Sequence, residues 1–448
     1  MLQGSPLSRT ALEKGVRPFP QAKALRAFHL AGYVPGNHDF NFGKEILAEF
    51  LKETGAVTLA ANLEGAIPSE KWHVWKMDDG LSVGIVGVLT DYVNVWEQKE
   101  NLKGIAVTDC VLAARKAYAE LKGKRDYTVC VYHGGYDDPL MEGRLRENRA
   151  EELSRIGFDV LLTSHQHIVR QPFFLQGTIT LQAQGRNYTL LDFHKDRHLV
   201  TAEVLSSGEG ERYPHEEGER AERELLPFQE ETLRELKKVL GHTVVPFADR
   251  GKLESAMHGS ALADFLNQVQ IEATGADISA VSLFNEPRTL GSVVTLGNLI
   301  SCYPFANTLV KIEVNGKTLK EALERDASYF DLDRKGNIVI SDRFLIPKVE
   351  HYNYDYYQNL RYRFSIGNPL GHRVTELSWK GHDLLKESGT ILSLAVNNYR
   401  YSGTGGYGMY HRSTVLGEIG EDMQELLIKK LKGATVPLPP KGDFSVTK

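Results

Sequence analysis

The sequence predicts a mixed fold, α/β followed by α+β, and three observations carry that expectation. Over residues 1–205 short apolar runs alternate with amphipathic segments, the order of a layered α/β domain. A stretch dense in Glu and Arg then interrupts the pattern. Beyond it, strand and helix patterns mix without strict alternation, which predicts α+β. At 448 residues the chain is long enough for two or three domains with substantial cores. The expected division is a first domain at 1–205, a charged linker with a helix at 206–240 and a second domain at 241–448.

In chain order, "VPGNHDFNFG" places Asn37, His38 and Asp39 between two glycines, just before "KEILAEFLKET", which has apolar residues at helical spacing. The triplet is expected where a strand end meets a helix start, although Asn, Asp and Gly are also ordinary turn residues. "VTLAAN", "LSVGIVGVL", "YTVCVYHGG" and "FDVLLTSHQH" read as buried strands, with "TDCVLAARKAYAELKG" and "NRAEELSRI" as helices between them. "SSGEGERYPHEEGERAERELLPFQEETLRELKK" reads as a solvated linker ending in a charged helix. The second domain opens with "ESAMHGSALADFLNQVQIEATGADISAVSLF", a helix followed by a strand. "TLVKIEVNG", "LRYRFSIG", "RVTELSWKG" and "TILSLAVNNY" are further strands, and "EDMQELLIKKL" is a closing amphipathic helix.

Composition narrows the function. With 42% hydrophobic and 25% charged residues and a formal net charge of −5, the chain gives no electrostatic reason to expect a nucleic-acid polymer or a membrane surface as partner. Cys110, Cys130 and Cys302 are widely spaced and form no CxxC pair, so any metal must be held by His, Asn and carboxylates. No stretch approaches the ~20 apolar residues of a membrane span. "MLQGSPLSRTALEKG" lacks the apolar core of a signal peptide, so the expected location is cytoplasmic, or periplasmic or extracellular if a preceding segment carried such a signal.

The chemistry lies where strands end. His133 follows one apolar run, and His165 and His167 follow another. Each alone reads more readily as a hydrogen-bonded loop residue than as a ligand. Together with Asn37 they fall at three strand ends, and in parallel sheets the carboxyl ends converge on one crevice. Neutral imidazole suits Zn, Mn, Fe or Co, and a carboxamide oxygen is an acceptable further ligand. On an extended chain His165 and His167 would point apart, which suits two neighbouring metals.

"GNHDFNFG", "YHGGYDD" and "SHQH" resemble the metal-binding motifs of the calcineurin-like metallophosphoesterases, and more narrowly of the 5'-nucleotidase and 2',3'-cyclic-nucleotide phosphodiesterase family. "YPFANTLVKIEVNG", "HYNYD", "SIGNPLGHRV" and "VNNYRYSGTGGYG" resemble that family's carboxyl-terminal domain. The resemblance implies a layered β-sandwich metallophosphoesterase domain flanked by helices, then an α+β nucleotide-recognition domain. It implies two divalent ions (Zn, Mn, Fe or Co) about 3.5–4 Å apart that clamp a phosphate. By position Asn37, His133 and His165 match ligands of the second metal, and His167 matches a ligand of the first. His38 matches the histidine that stabilises the phosphoryl transition state. Three residues on, where many relatives have a carboxylate, stands Asn41, as in the cyclic-phosphodiesterase branch.

One departure bears on activity. The family begins with Asp-x-His and a later Gly-Asp, and this sequence opens at "MLQGSPLSRT", which is similar to the family's segment just after the Gly-Asp. Weak or partial metal occupancy is therefore expected. For the base, the resemblance maps an aromatic sandwich onto Phe305 and Tyr399, with Asn307 and Arg400 near the base or ribose. Gly403 and the other glycines of "SGTGGYG" would let backbone approach the nucleotide. The 5'-nucleotidase branch's Gly-Gly-Gly and Ile-Arg pattern is missing near "SLFNEPRTLG", where Arg288 stands, so the cyclic-phosphodiesterase side is favoured. The expected activity is metal-dependent hydrolysis of 2',3'-cyclic, 3'- or 5'-nucleotides by a monomer. The alternative is a non-catalytic nucleoside- or nucleotide-binding protein.

Overall fold

A computed structural model describes residues 2–137, 146–185, 187–206, 215–248, 250–286, 288–305, 307–346 and 348–448. Asp138 of "YHGGYDD" and residues 207–214 of the charged stretch lie outside the described residues. The chain divides into two compact units, Met1–Thr232 and Leu233–Lys448.

In the first unit a six-stranded sheet runs in the order Trp72–Lys76, Ser82–Leu89, Tyr127–His133, Val160–Thr163, Thr178–Gln182, Arg170–Leu175. The three inner pairings are parallel and the two edges antiparallel. Apolar runs such as "LSVGIVGVL" are continuous rather than alternating because both faces are covered. On one face Val86, Val88, Cys130 and Tyr132 pack on Ala114 and Ala117 of the Cys110–Glu120 helix. On the other, Val83, Val129 and Val160 pack on Val200 and Val204 of the hairpin Asn187–His194/Leu199–Ser206. "VTLAAN" contributes only Val57–Thr58, paired in parallel with Gly32–Tyr33. That short pair aims the "PGNHD" loop at the carboxyl end of its strand.

The charged helix His215–Leu236 is not simply solvated. Arg220 Nη2 donates to Ala27 O at 2.7 Å and meets His29 Nε2 at 2.9 Å, and Lys23 faces Glu224 at 3.7 Å.

The second unit is built on a five-stranded sheet in the order Asp355–Gln358, Ile278–Ser282, Ile391–Asn397, Thr308–Asn315, Val415–Asp422. Only Ile278–Ser282 and Ile391–Asn397 pair in parallel. The single helix expected from "ESAMHGSALADFLNQVQIEATG" is two, Lys252–His258 and Ala261–Thr274, because the chain turns at Gly259 with φ 90°. "EDMQELLIKKL" forms Met423–Leu431 and buries Met423, Leu427 and Leu431 in the core.

Candidate functional site

Asn37 opens a short 3-10 turn, Asn37–Phe40. Asp39 fixes that turn: its buried carboxylate accepts from Leu2 N (3.0 Å), Gly36 N (2.9 Å) and the Tyr33 hydroxyl (2.9 Å). His133 ends the Tyr127–His133 strand, and its Nε2 lies 2.9 Å from Asn37 Oδ1. Its Nδ1 lies 3.1 Å from Ser164 Oγ, and that hydroxyl is 3.3 Å from Tyr132 O. Gly36 is required for this approach, since a Cβ there would sit 2.7 Å from His133 Cε1. Loss of solvent, followed by the neighbouring His165, holds the His133 pKa well below the usual imidazole range.

His165 joins the same cluster. Its ring centre is 5.5 Å from that of His133 and 5.2 Å from that of Trp96, on which it stacks at 30°. Its Nε2 lies 2.7 Å from Glu147 Oε1. The extended path expected through "SHQH" does not hold. The strand stops at Thr163, and His165 and His167 take left-handed φ of 69° and 54°. Turning of the loop, not strand alternation, separates them: His165 enters the cluster and His167 is exposed.

His38 is also exposed, and its Nδ1 lies 3.0 Å from Asn41 Oδ1. Asn41 Nδ2 donates to Glu97 Oε2 at 2.7 Å, and Glu97 Oε1 accepts from Asn101 Nδ2 at 2.8 Å. Because the amide oxygen of Asn41 faces the ring, Nδ1 of His38 carries the proton and Nε2 the lone pair. Solvent reaches the side chain, yet the protein packed around it lowers its pKa; the Asn41 hydrogen bond opposes that shift. Burial also raises the pKa of Glu97.

In the second unit the register Leu309↔Asn397 brings "YPFANT" and "NNYRYSG" to the same end of the sheet. Phe305 is 37% exposed and meets Phe284 edge-on at 5.5 Å. Burial raises the pKa of the Tyr303 hydroxyl, and the side chains of Asn307 and Asn397 beside it oppose that rise. Tyr399 is half-buried. Arg400 is placed differently from the expectation that it lies against a base or ribose. It is 3% exposed, and all its N–H donors are used within the protein: on Asp355 Oδ1 (3.1 and 2.8 Å), Thr404 O (3.0 Å), Asn353 Oδ1 (3.3 Å) and Tyr352 O (2.8 Å). The glycine loop also closes on protein. Gly403 has φ 88°, and a Cβ on Gly405 would lie 2.2 Å from Asn353 Oδ1.

Known proteins share this organisation. Residues 239–412 match the family described as 5'-nucleotidase, C-terminal domain. Over 480 aligned residues the chain is 23% identical to a Haemophilus influenzae protein named 2',3'-cyclic-nucleotide 2'-phosphodiesterase/3'-nucleotidase, covering 90% of this chain and 72% of that protein. A Staphylococcus aureus structure described as a 5'-nucleotidase superposes with a TM-score of 0.85 at 26% identity, over 100% of this chain and 89% of that one. Residues 239–412 are therefore a 5'-nucleotidase C-terminal domain, and the whole chain is similar to 5'-nucleotidases. A 5'-nucleotidase precursor from Thermus thermophilus shares the fold, with a TM-score of 0.64 at 20% identity over 96% of this chain and 86% of its own. The metallophosphoesterase-plus-C-terminal-domain architecture of 5'-nucleotidases is therefore that of this chain. No helix among the described residues is long and apolar enough to cross a membrane.

The metal pair implied by the 5'-nucleotidase family can be tested against these side chains. Among the described residues no group of three or more His, Cys, Asp or Glu is placed to hold a metal ion. The donors that do converge are two imidazoles and one carboxamide. Two ligands about 2.1 Å from one ion at a right angle would lie about 3 Å apart, close to the 2.9 Å between Asn37 Oδ1 and His133 Nε2. With the His165 ring beside them, these imidazole and carboxamide donors suit a borderline cation, and among the described residues no donors for a second ion are grouped. Sequence reasoning missed Glu147, Glu97, Trp96 and Ser164. Glu147 lies 18 residues from His165, just ahead of what reads as a plain helix, and Glu97 is 56 residues from Asn41, so neither carried a local signal.

Proposed function

We propose that this protein hydrolyses phosphate esters of nucleotides, with the phosphate chemistry at Asn37, His38, His133 and His165 and base recognition by Phe305, Asn307 and Tyr399. The observation that supports this most strongly is the convergence of Asn37, His133 and His165 beside an oriented His38. A divalent cation held by Asn37, His133 and His165 would supply a Lewis acid for the phosphoryl oxygens. His38 is the group that moves a proton. Asn41, held by Glu97, keeps Nδ1–H of His38 engaged and leaves Nε2 for the departing oxygen of the ester. With Nε2 protonated from solvent, His38 would donate that proton to the departing oxygen as its bond to phosphorus breaks, while a water supplies the oxygen of the new bond. With an amide rather than a carboxylate at position 41, no charge lies directly against the ring, which matches the cyclic-phosphodiesterase pattern. We read the substrate preference accordingly as 2',3'-cyclic over 3'- and 5'-nucleotides.

The test is hydrolysis of 2',3'-cyclic AMP, 3'-AMP and 5'-AMP with Zn, Mn, Fe or Co added in turn. His38→Ala should lower turnover by roughly 10²–10⁴-fold while metal content stays the same. Loss of the metal in that variant would make His38 a ligand rather than the proton-moving group. A second reading, a nucleotide binder without catalysis, is favoured by the lack of a three-residue metal group among the described residues. Adenosine binding with no hydrolysis under any of these metals would establish it.

A further inference from the structure

We infer that Glu147 is a positioning residue for His165, fixing its imidazole with the proton on Nε2 and the lone pair on Nδ1. The inference rests on the cation site proposed above and names the group that orients one of its ligands. A carboxylate oxygen only accepts, so at 2.7 Å from Glu147 Oε1 it is Nε2 that donates. The two side chains are 15% and 13% exposed, so water competes poorly for the bond. The ring is also held by stacking on Trp96, and His133 stands edge-on to it.

Glu147 is itself firmly placed. Its carbonyl accepts from Thr90 Oγ1 at 2.7 Å, and Thr90 N donates to His133 O at 2.9 Å. The next residue, Asn148, accepts from Gly135 N through Oδ1 at 2.7 Å. Arg149 N donates to the Tyr132 hydroxyl at 3.2 Å, and its guanidinium bonds Asp109 at 2.8 Å. Three successive residues are thus tied to the strand that ends at His133, and the carboxylate of Glu147 is carried on that frame. A ligand histidine generally donates its second ring N–H to such a group, which sets the nitrogen left for the metal.

The experiment uses imidazole ¹⁵N NMR of the full chain without metal, with the His165 signal assigned by difference against His165→Asn. Wild type should show the proton on Nε2, and Glu147→Gln, whose amide oxygen still accepts, should keep it. Glu147→Ala should shift the ring to a mixture of tautomers. Calorimetric titration with Zn(II) alone should then show affinity falling about 10–100-fold for Glu147→Ala and less for Glu147→Gln. An unchanged tautomer in Glu147→Ala overturns the inference, as does equal loss of Zn(II) in both variants, which would make the carboxylate a direct ligand. If wild type binds no Zn(II), the cation reading fails, while the tautomer measurement still decides the role of Glu147.

Discussion

Two loop clusters, one in each unit, begin from the same sequence signal and end in opposite physical states. Both are polar residues and glycines placed where a strand of a parallel pair ends. In the first unit Asn37, His133 and His165 face one another half-buried, held from behind by Ser164 and Glu147. In the second, the Arg400 guanidinium is sealed in, paired with the 1% exposed Asp355 and lying 4.0 Å over the Tyr407 ring. Asp326 completes that second cluster by accepting from the Tyr357 and Tyr407 hydroxyls and from Asp355 N. In both clusters polar atoms pair within the protein, but the first stays half-open to solvent and the second is closed off from it. A motif shows which residues gather. Whether they are left over for a ligand is decided by what surrounds them.

The sharpest way to break this comparison is Arg400→Ala. Removing one partner of a buried ion pair leaves an uncompensated charge and typically costs about 3–5 kcal/mol. The second unit should lose that much stability, measured by hydrogen exchange of the Ile391–Asn397 strand, while the Zn(II) titration of the variant should match that of wild type. Unchanged exchange together with weakened adenosine binding would return Arg400 to a ligand-facing role.

The pH dependence of the two units should also differ in sign. Burial, followed by the charge of Asp355, pushes the Asp326 pKa up to about 8. An unfolded Asp titrates near 4, so the folded unit holds this proton more tightly. Its stabilising effect is full below about pH 4 and is lost as pH rises through 8, with a slope of at most about 1.4 kcal/mol per pH unit. Asp326→Asn should flatten that loss. His133 shifts the other way, so its contribution is present above about pH 6.5 and lost as pH falls. Melting curves across pH 4–9 for each unit check both signs; a second unit that gains stability toward pH 8 would contradict the assignment.

What the sequence showed depends on how local each signal is. Ser82–Leu89 and Tyr127–His133 were legible because strands buried on both faces read as unbroken apolar runs. The gathering of Asn37, His133 and His165 was legible because carboxyl ends of parallel strands converge. The route through His165 and His167 was not, since left-handed φ at two non-glycine residues has no compositional mark. Glu97 and Glu147 act across long separations and resemble any surface glutamate. Arg400 differs again: its neighbours in sequence match a recognition motif, and only the fold shows Asp355 and Asn353 closed around it.

The smallest expected effect concerns the rings assigned to the base, and it separates recognition from packing within the second unit. Phe305 is 37% exposed and touches Phe284 by an edge, whereas Phe247 is fully buried in the core. Deleting a buried phenylalanine removes its contacts and leaves a cavity, at a cost of about 3–5 kcal/mol. Phe305→Ala has little cavity to leave, so its melting temperature should stay near that of wild type. If a base stacks on this ring, adenosine affinity should fall by about 1–3 kcal/mol, the usual worth of one stacking partner. Tyr399→Ala should show the same loss of affinity with a modest loss of stability, because its ring is half-buried. Phe247→Ala should do the reverse, melting far lower while binding adenosine normally when folded. The check is calorimetric adenosine affinity and melting temperature for the three variants side by side. If Phe305→Ala keeps wild-type affinity, the exposed ring serves another surface and the base site must be sought elsewhere at that end of the sheet.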